Sequence, residues 1–253
     1  MNIRRLRASD CDPQEYLRGA NAAFGQWGDE ATFAWAFRGG EILFLDDARG
    51  RPAAASGITY RTLLDGREVA ILTGAWTHPD ARGGKSFLPL IFATHEAARE
   101  RNAIVLAFGR RDNPSCRRVQ EAGAQVSASY YCRSRSTATN ALEVLEPEPA
   151  RFRTGFRYND DEWRTQFLER PHAQIECVGR SGEWAAIVER TAEFDRVHLI
   201  SDMRALPFLH RGRRLFWFTL QRPELDCEWT DGFLSTFPAA DVSRWPIQNG
   251  DRM

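Results

Sequence analysis

The sequence predicts an α/β (α+β) chain whose mixed, mostly antiparallel central sheet is flanked by helices. Three observations support this fold class. Asp65-Gly66 joins two strand-like runs, 53–66 and 67–78, and such a pair is a strong hairpin signal. Apolar residues recur with helical spacing over 85–102. The continuous apolar run 103–109 is typical of a buried strand.

The composition indicates a globular protein and restricts its partners. Apolar residues make up 43% of the 253, and 34 basic residues balance 34 acidic ones, so the formal net charge is zero. A non-specific nucleic-acid binder is usually basic, because it must neutralise phosphates. The five scattered cysteines suggest no disulfide framework. The absence of a signal segment or a long apolar run predicts a cytoplasmic protein without a membrane partner. The histidines lack metal-ligand spacing, which predicts no metal site.

The remaining elements alternate along the chain in a recognisable order. A first strand is followed by two helices and a second strand, and a short helix and a strand follow the buried run. The predicted ranges are strand 2–10, helices 11–25 and 29–38, strand 41–47, helix 113–123 and strand 124–134. Pro89 is compatible with the helix over 85–102 only if it lies in the first turn.

The stretch HPDARGGKSF, residues 78–87, is a glycine turn that leads into a helix. A nucleotide-binding P-loop would need a glycine five residues before Gly84, where Pro79 stands, so that motif is excluded. The free amides of a helix N-terminus nevertheless favour an anion. The turn is therefore a candidate phosphate-binding site.

The element order and this turn resemble the GNAT superfamily of acyl-CoA N-acyltransferases over about residues 1–134. Thr77, Pro79, Arg82 and Gly83 match the family's turn after the fourth strand, and NPSCRRVQEAG (113–123) matches its later Asn–helix–Gly landmark. The family's later glycine falls on Lys85, or on Gly84 with one residue deleted. The resemblance implies acetyl-CoA as co-substrate and the following contacts: Trp76, Thr77, Arg82, Gly83, Gly84, Lys85, Ser86, Phe87, Asn113 and Arg117.

The resemblance also implies catalytic groups. Transfer to an amine needs a base for the amine proton and an acid for the leaving thiolate. Glu68, near the start of the fourth strand, and His78, at its end, are candidate bases, with His95 and Asp112 as further alternatives. The family often has a tyrosine acid in the short helix. Here Val119 or Gln120 occupies that place, so Tyr131 is the candidate acid and Tyr130 its alternative.

The acceptor pocket of such folds commonly involves the first two helices. The aromatic-rich stretch 24–38 offers Trp27, Asp29, Trp35 and Arg38 as candidate substrate-binding residues. Core packing is the alternative explanation for its aromatic residues.

The second half of the chain contains a weak sequence repeat of the first. Shifted by 132 residues, DEATFAWAFR (29–38) lies on DEWRTQFLER (161–170), but no second glycine loop precedes a helix. The predicted domains are 1–134 for acyl-CoA binding, a linker over 135–149, and a smaller, degenerate GNAT-like domain over 150–253 that shapes the acceptor cleft. This arrangement resembles two-halved acyltransferases.

The resemblance leads to the expectation of an N-acetyltransferase. It would act on a primary amine of a small polar metabolite, such as an amino sugar or modified nucleoside, by direct attack in a ternary complex of a monomer or homodimer. One alternative is a GNAT-fold binding module without catalysis. The other is a Fem-like aminoacyl-tRNA-dependent transferase, or acylation of an amine on a modified nucleic-acid base. Arg110, Arg111, Arg117 and Arg118 would form the basic patch for a nucleic acid, or ring the coenzyme's 3′-phosphate.

Overall fold

The structure is a computed structural model with two compact units. It describes residues 2–83, 87–134, 140–210, 212–222, 224 and 228–252. The N-terminal unit comprises Met1–Val126 and Leu234–Ala240, and the C-terminal unit comprises Ser127–Phe233 and Asp241–Met253. These units are defined by packing. The packing units do not test the predicted domain bounds, 1–134 and 150–253, which stay a prediction. Residues 135–139 of the predicted linker lie outside the described residues.

The N-terminal unit contains a mixed sheet in which sequence neighbours pair. Its strands are β1 (Asn2–Arg7), β2 (Glu41–Asp46), β3 (Pro52–Thr62), β4 (Glu68–Thr77) and β5 (Ile104–Arg110), in that spatial order. The first four are antiparallel, whereas β5 runs parallel to β4. The last residues of a late strand, 234–237, lie on the other side of β5. The predicted mixed, mostly antiparallel sheet is confirmed.

The helices of this unit are α1 (Pro13–Phe24), α2 (Glu30–Ala36), α3 (Phe87–Glu100) and α4 (Pro114–Glu121). Helices α1, α2 and α4 begin directly after capping residues. The side chains of Asp12, Asp29 and Asn113 accept hydrogen bonds from backbone amides of the first turns that they precede. Pro89 is the third residue of α3, in the first turn as expected, where its missing N–H costs no hydrogen bond.

The strands of the C-terminal unit also pair in both parallel and antiparallel directions. Its strands are β6 (Gln125–Ser134), β7 (Glu143–Val144), β8 (Gln174–Arg180), β9 (Trp184–Arg190), β10 (Phe194–Ile200), β11 (Arg214–Thr219) and β12 (Glu228–Phe237). The α-helix that its described residues form is α5 (Asp160–Phe167). Within this unit the spatial order is β12, β6, β11, β10, β9, β8, β7.

The C-terminal unit repeats part of the N-terminal pattern. In both units a helix precedes three antiparallel strands, and the third strand pairs in parallel with the next one. β3 begins at Pro52 and β9 at Trp184, a spacing of 132 residues. This spacing equals the offset of the weak sequence repeat. Where α3 joins β4 to β5, the 3-10 segment Met203–Leu209 is the only helical stretch among the described residues between β10 and β11. This shortened connection explains why the second half has no glycine loop before a helix.

A close contact inside the N-terminal unit makes Gly19 of α1 irreplaceable. A Cβ at Gly19 would lie 2.1 to 2.5 Å from three ring carbons of the buried Trp76. We expect Gly19→Ala to lower the free energy of unfolding by about 1–3 kcal/mol, because overpacking outweighs alanine's better helix propensity. Urea denaturation measures this. On a Trp76→Leu background the same substitution should be neutral or stabilising, and an equal loss there would contradict the packing explanation.

A buried ionic cluster in the C-terminal unit predicts acid sensitivity. Glu189 Oε2 accepts hydrogen bonds from Arg170 Nη1 at 3.1 Å and Arg196 Nη1 at 3.0 Å, and lies 2.9 Å from His198 Nε2. Burial alone would raise the pKa of Glu189, but the His198 hydrogen bond and the two arginines outweigh it and lower the pKa to about 2. Burial lowers the pKa of His198, a shift that its bond to Glu189 only partly opposes.

The lowered pKa values of Glu189 and His198 both make the folded state less stable as the pH falls. The His198 contribution is lost as pH falls below its ordinary pKa of 6.5, and the Glu189 contribution is lost as pH falls from 4.5 toward about 2. We expect Glu189→Gln to cost about 3–5 kcal/mol at pH 7, since it removes a buried carboxylate that pairs with two partly buried arginines. Denaturant unfolding from pH 7 to 3 tests this, and Glu176→Gln, on the exposed side of β8, should cost far less. Equal losses for both variants would contradict the role of burial.

Candidate functional site

The strands β4 and β5 pair only at one end. The parallel register joins Val69 to Ile104, Ala70 to Val105 and Ile71 to Leu106. Beyond Ile71, β4 continues to Thr77 and β5 to Arg110, but the two strands do not pair with each other among the described residues. We call this gap the β4–β5 opening, bounded by residues 72–77 and 107–110. Backbone N–H and C=O groups of β4 that point into it have no strand partner, so they are available to a ligand.

A β-bulge shapes the β4 side of the opening. Ala55 pairs with Trp76 and Gly57 with Thr73, so two residues of β4 lie opposite one residue of β3. Gly74, inside the bulge, has φ +59°, a conformation that side-chain-bearing residues rarely adopt. A Cβ on Gly74 would also lie 2.4 Å from the Tyr16 hydroxyl oxygen. Glycine is therefore required at this point of the strand.

The tyrosine of α1 fixes the bulge. The Tyr16 hydroxyl donates a hydrogen bond to the Gly74 carbonyl oxygen. The Tyr16 side chain is fully buried, and burial raises the pKa of its hydroxyl well above 10, so it stays a neutral donor. Its ring contacts four other aromatic rings at centroid distances of 5.0 to 6.0 Å: those of Trp27, Phe33, Phe37 and Trp76.

This aromatic cluster contains two of the predicted site residues. Trp76 is 2% exposed and packs against Gly19, so its side chain belongs to the core. Trp27 is partly buried and stacks on Phe37 with centroids 5.7 Å apart. The backbone N–H of Trp27 donates to Asn21 Oδ1 at 2.7 Å, which fixes the chain between α1 and α2. Contacts of either tryptophan with coenzyme or substrate stay predictions.

The loop after β4 is attached to both neighbouring elements. The His78 backbone N–H donates to the Ala53 carbonyl at 2.9 Å, and its Nδ1 accepts from the Asp80 N–H at 3.3 Å. A short 3-10 turn, Pro79–Ala81, follows. Arg82 Nη2 donates to the Ala23 carbonyl in α1 at 2.8 Å. The guanidinium of Arg82 therefore has a structural role in holding the loop near α1.

Gly83 gives the loop its direction toward α3. Its φ is +84°, and a Cβ built on it would meet no atom within 4 Å, so the backbone conformation alone favours glycine. The predicted coenzyme contacts Gly84, Lys85 and Ser86 lie outside the described residues. Phe87, another predicted contact, begins α3. Thr77, His78, Arg82, Gly83 and Phe87 thus lie together along the chain at one end of β4.

Glu68 lies at the other end of the same strand. It is the first residue of β4, and its Oε1 accepts from the Thr62 hydroxyl at 2.7 Å. Nine residue steps separate it from Thr77, a distance of about 30 Å at roughly 3.3 Å per residue of strand. The structure does not bring this carboxylate to the loop or to the unpaired end of β4. Its role as a base stays a prediction that its position argues against.

Asn113 and Arg117 belong to α4, which follows β5. Asn113 Oδ1 accepts from the Ser115 N–H at 2.9 Å, so the side chain acts as a helix cap. Arg117 is exposed, and its Nε donates to Glu121 Oε1 at 2.8 Å. Both follow β5 along the chain, and their contact with a coenzyme stays a prediction.

Two further predicted substrate residues serve the structure of α2. Asp29 caps the helix by accepting from the Thr32 N–H at 2.9 Å. Arg38 Nη1 donates to the Trp35 carbonyl at 2.8 Å, and its guanidinium carbon lies 5.5 Å from the Trp35 ring centroid. Trp35 itself is buried. These contacts give Asp29, Trp35 and Arg38 structural roles at α2. Binding of an acceptor by these residues stays a prediction.

Tyr131 belongs to the C-terminal unit. It is buried on β6, and its hydroxyl accepts from Arg252 Nη2 at 3.0 Å. The Arg252 guanidinium also lies over the Tyr131 ring, 4.9 Å from the centroid. Its neighbour Tyr130, on the opposite face of the strand, makes an edge contact with Trp229. The role of Tyr131 as an acid stays a prediction.

The residues that sequence reasoning missed are Tyr16 and Gly74. An isolated glycine within an apolar strand pattern signals a bulge or a close backbone approach, so Gly74 in LTGAWT could have been found. Tyr16 carries no comparable local signal. Its importance arises from a hydrogen bond to a carbonyl 58 residues away.

The comparisons with solved structures identify the fold. No protein-family model and no curated protein matches the sequence. A GCN5-related N-acetyltransferase from Kribbella flavida is similar in structure, with a TM-score of 0.59 and 14% identity over 92% of this chain and 70% of its own. One from Sphaerobacter thermophilus has a TM-score of 0.56 and 13% identity over 96% and 98%.

A two-domain relative extends this likeness. A tandem GNAT protein from the clavulanic acid biosynthesis pathway has a TM-score of 0.59 and 13% identity over 95% of this chain and 99% of its own. The chain has the fold of the GCN5-related N-acetyltransferases, and the likeness covers both of its units. The resemblance stated from the sequence is thus confirmed at the level of the fold. No helix among the described residues is long and apolar enough to cross a bilayer.

The hydrogen bond at the bulge predicts that loss of the Tyr16 hydroxyl lowers the free energy of unfolding. Tyr16→Phe removes the donor to the Gly74 carbonyl and leaves that oxygen without its partner. We expect a loss of about 1–3 kcal/mol in the free energy of unfolding, the usual cost of an unsatisfied buried group. Denaturant unfolding measures it. Tyr60→Phe, which removes a half-buried hydroxyl bonded to Glu41, is the matched control, and an equal or larger loss there would contradict the special role of Tyr16.

Proposed function

We propose that this protein is an acyl-CoA-dependent N-acyltransferase, with acetyl-CoA as the donor and a primary amine of a small polar metabolite as the acceptor. The observation that carries the proposal is the separation of β4 from β5 after three residue pairs, next to a glycine bulge. This separation exposes strand amides inside a sheet that otherwise pairs them. The fold that the comparisons identify supports the same conclusion.

The loop at the end of β4 suits the coenzyme's pyrophosphate. Backbone amides in a turn that precedes a helix attract anions, and the helix dipole adds to the attraction. Gly83 with its positive φ permits the turn, and α3 begins soon after it. Because Arg82 is bound to the Ala23 carbonyl, the backbone rather than this guanidinium is the proposed phosphate ligand.

The proposed reaction is direct attack. The amine nitrogen bonds to the thioester carbonyl carbon, and the tetrahedral intermediate collapses with cleavage of the C–S bond. The amine loses a proton, and the coenzyme A thiolate takes one up. Unpaired N–H groups of β4 beyond Ile71 would stabilise the oxyanion. His78, which is partly exposed and directly follows β4, is the proposed base in preference to Glu68.

A binding module without catalysis is a second candidate. At the position where the resemblance implies a tyrosine, α4 has Val119, which is buried and cannot donate a proton, and Gln120. Nucleic-acid chemistry is less well supported. Of the proposed basic patch, Arg110 pairs with Asp112 and Arg117 and Arg118 both pair with Glu121, so carboxylates offset much of its charge.

Titration calorimetry of acetyl-CoA tests the proposal. We expect micromolar binding by the wild type and its loss in Gly83→Asp, because a side chain at positive φ distorts the loop and the carboxylate repels phosphate. Gly50→Asp is the matched control, since Gly50 also has a positive φ and open space around it but lies in the β2–β3 turn. It should bind normally.

The remaining outcomes separate the candidates. Binding followed by thiol release with an amine acceptor supports the transferase. Binding without release from a broad set of amines favours the non-catalytic module. No binding by wild type overturns the acyl-CoA proposal.

A further inference from the structure

A cavity of about 610 Å³ lies in the N-terminal unit at the end of β4 that is remote from the glycine loop. Glu68 of β4 and Ile104 of β5 line it, at the end where the two strands still pair. His95 and Arg99 of α3 form one side, and Phe237 another. Its volume is within the range of small-molecule sites, yet it is separate from the β4–β5 opening. The acyltransferase proposed above has no use for it.

The rim of the cavity is cationic. Arg67, Arg99 and Arg101 line it, and Glu68 is the single carboxylate among its lining residues. Arg67 pairs with Asp65 at 2.7 Å. Neither Arg99 nor Arg101 has an acidic partner within the described ranges, and Arg101 lies over the Tyr60 ring with its guanidinium carbon 3.9 Å from the centroid. Two guanidinium groups are therefore available for an anion beside one cavity.

The inner wall is flat and apolar, with one polar group. The His95 ring stacks on Phe237 with centroids 3.8 Å apart and planes 4° from parallel. His95 is 4% exposed, and no hydrogen bond to its imidazole is present among the described residues. Burial, assisted by Arg99, lowers its pKa to about 4, so the ring is neutral at pH 7 and offers one donor and one acceptor. His95 lines the cavity, so this donor and acceptor are within reach of a bound ligand or its water.

We propose that this cavity binds a small aromatic carboxylate. The carboxylate pairs with Arg99 and Arg101 at the rim, since guanidinium groups match its geometry. The aromatic ring packs against the wall made by Phe237, Pro238 and Ile104. His95 hydrogen-bonds a polar atom of the ligand or its bound water. A phosphate ion would use the arginines but leave the apolar wall uncovered, so the ligand combines a charge with a flat apolar body.

Ligand-observed NMR and calorimetry with defined probes test this inference. The probes are benzoate and indole-3-acetate, their uncharged amides benzamide and indole-3-acetamide, and inorganic phosphate. We expect the carboxylates to bind at least about tenfold more tightly than their amides, because a charge-assisted hydrogen bond contributes more than a neutral one. Equal binding of carboxylate and amide, or no binding of either carboxylate at millimolar concentration, overturns the proposal. Phosphate binding as tightly as the carboxylates does so too.

Two cavity variants and one control variant test whether the carboxylate binds in this cavity. Arg99→Gln and Arg101→Gln should each weaken carboxylate binding by about ten- to hundredfold, the loss expected for one charged contact. Arg49→Gln is the control, because Arg49 is equally exposed but lies in the β2–β3 turn. It should leave binding unchanged. Melting of each free variant checks folding. Equal weakening in all three variants, or none in the two cavity variants, overturns the assignment.

A last measurement separates this site from the proposed coenzyme loop. Arg99→Gln should bind acetyl-CoA as the wild type does, and Gly83→Asp should bind the aromatic carboxylate as the wild type does. Competition between acetyl-CoA and indole-3-acetate for one site would overturn the inference of a separate cavity. A failure of acetyl-CoA to bind would overturn the proposed function alone.

Discussion

The hydrogen bond from Tyr16 to the Gly74 carbonyl is the constraint on which the candidate active site depends. A strand of ten residues would ordinarily satisfy its backbone on both sides, and β4 does so only as far as Ile71. The bulge turns the rest of β4 out of register. A carbonyl that leaves the hydrogen-bond ladder of a sheet needs another donor. A buried hydroxyl from α1 supplies it. Helix α1 and its aromatic neighbours thereby determine the path of β4.

The same constraint explains why so many predicted ligand residues proved to have structural contacts. The tryptophans at 27 and 76 contribute to the cluster around Tyr16, and Arg82 holds the loop to α1. At the β4–β5 opening the strands leave backbone groups unpaired with each other. A site built from main-chain groups tolerates broad variation of side chains, which agrees with a shared fold at 13 to 14% identity.

The sequence predicted the fold far better than it predicted the site. Caps, the Asp65-Gly66 turn and apolar periodicity are local signals, and each produced an element close to its expected place. The spacing of 132 residues between the halves was also visible. The location of Glu68 was not, because a residue's position on a strand says nothing about which end of the strand carries the site. The cavity walled by His95 and Phe237 was equally hidden, since these residues are 142 positions apart in the sequence.

The segment Leu234–Ala240 has a consequence for how the protein is made. It packs as part of the N-terminal unit, although the ribosome synthesises it after the whole of Ser127–Phe233. Until it emerges, β5 is an edge strand with an unpaired row of backbone groups, a surface that favours association with other chains. The first half of the nascent chain must therefore wait for the second before its sheet is complete. We expect cotranslational folding of this protein to be completed late, and its newly made N-terminal half to be a natural client for chaperones that shield exposed strands.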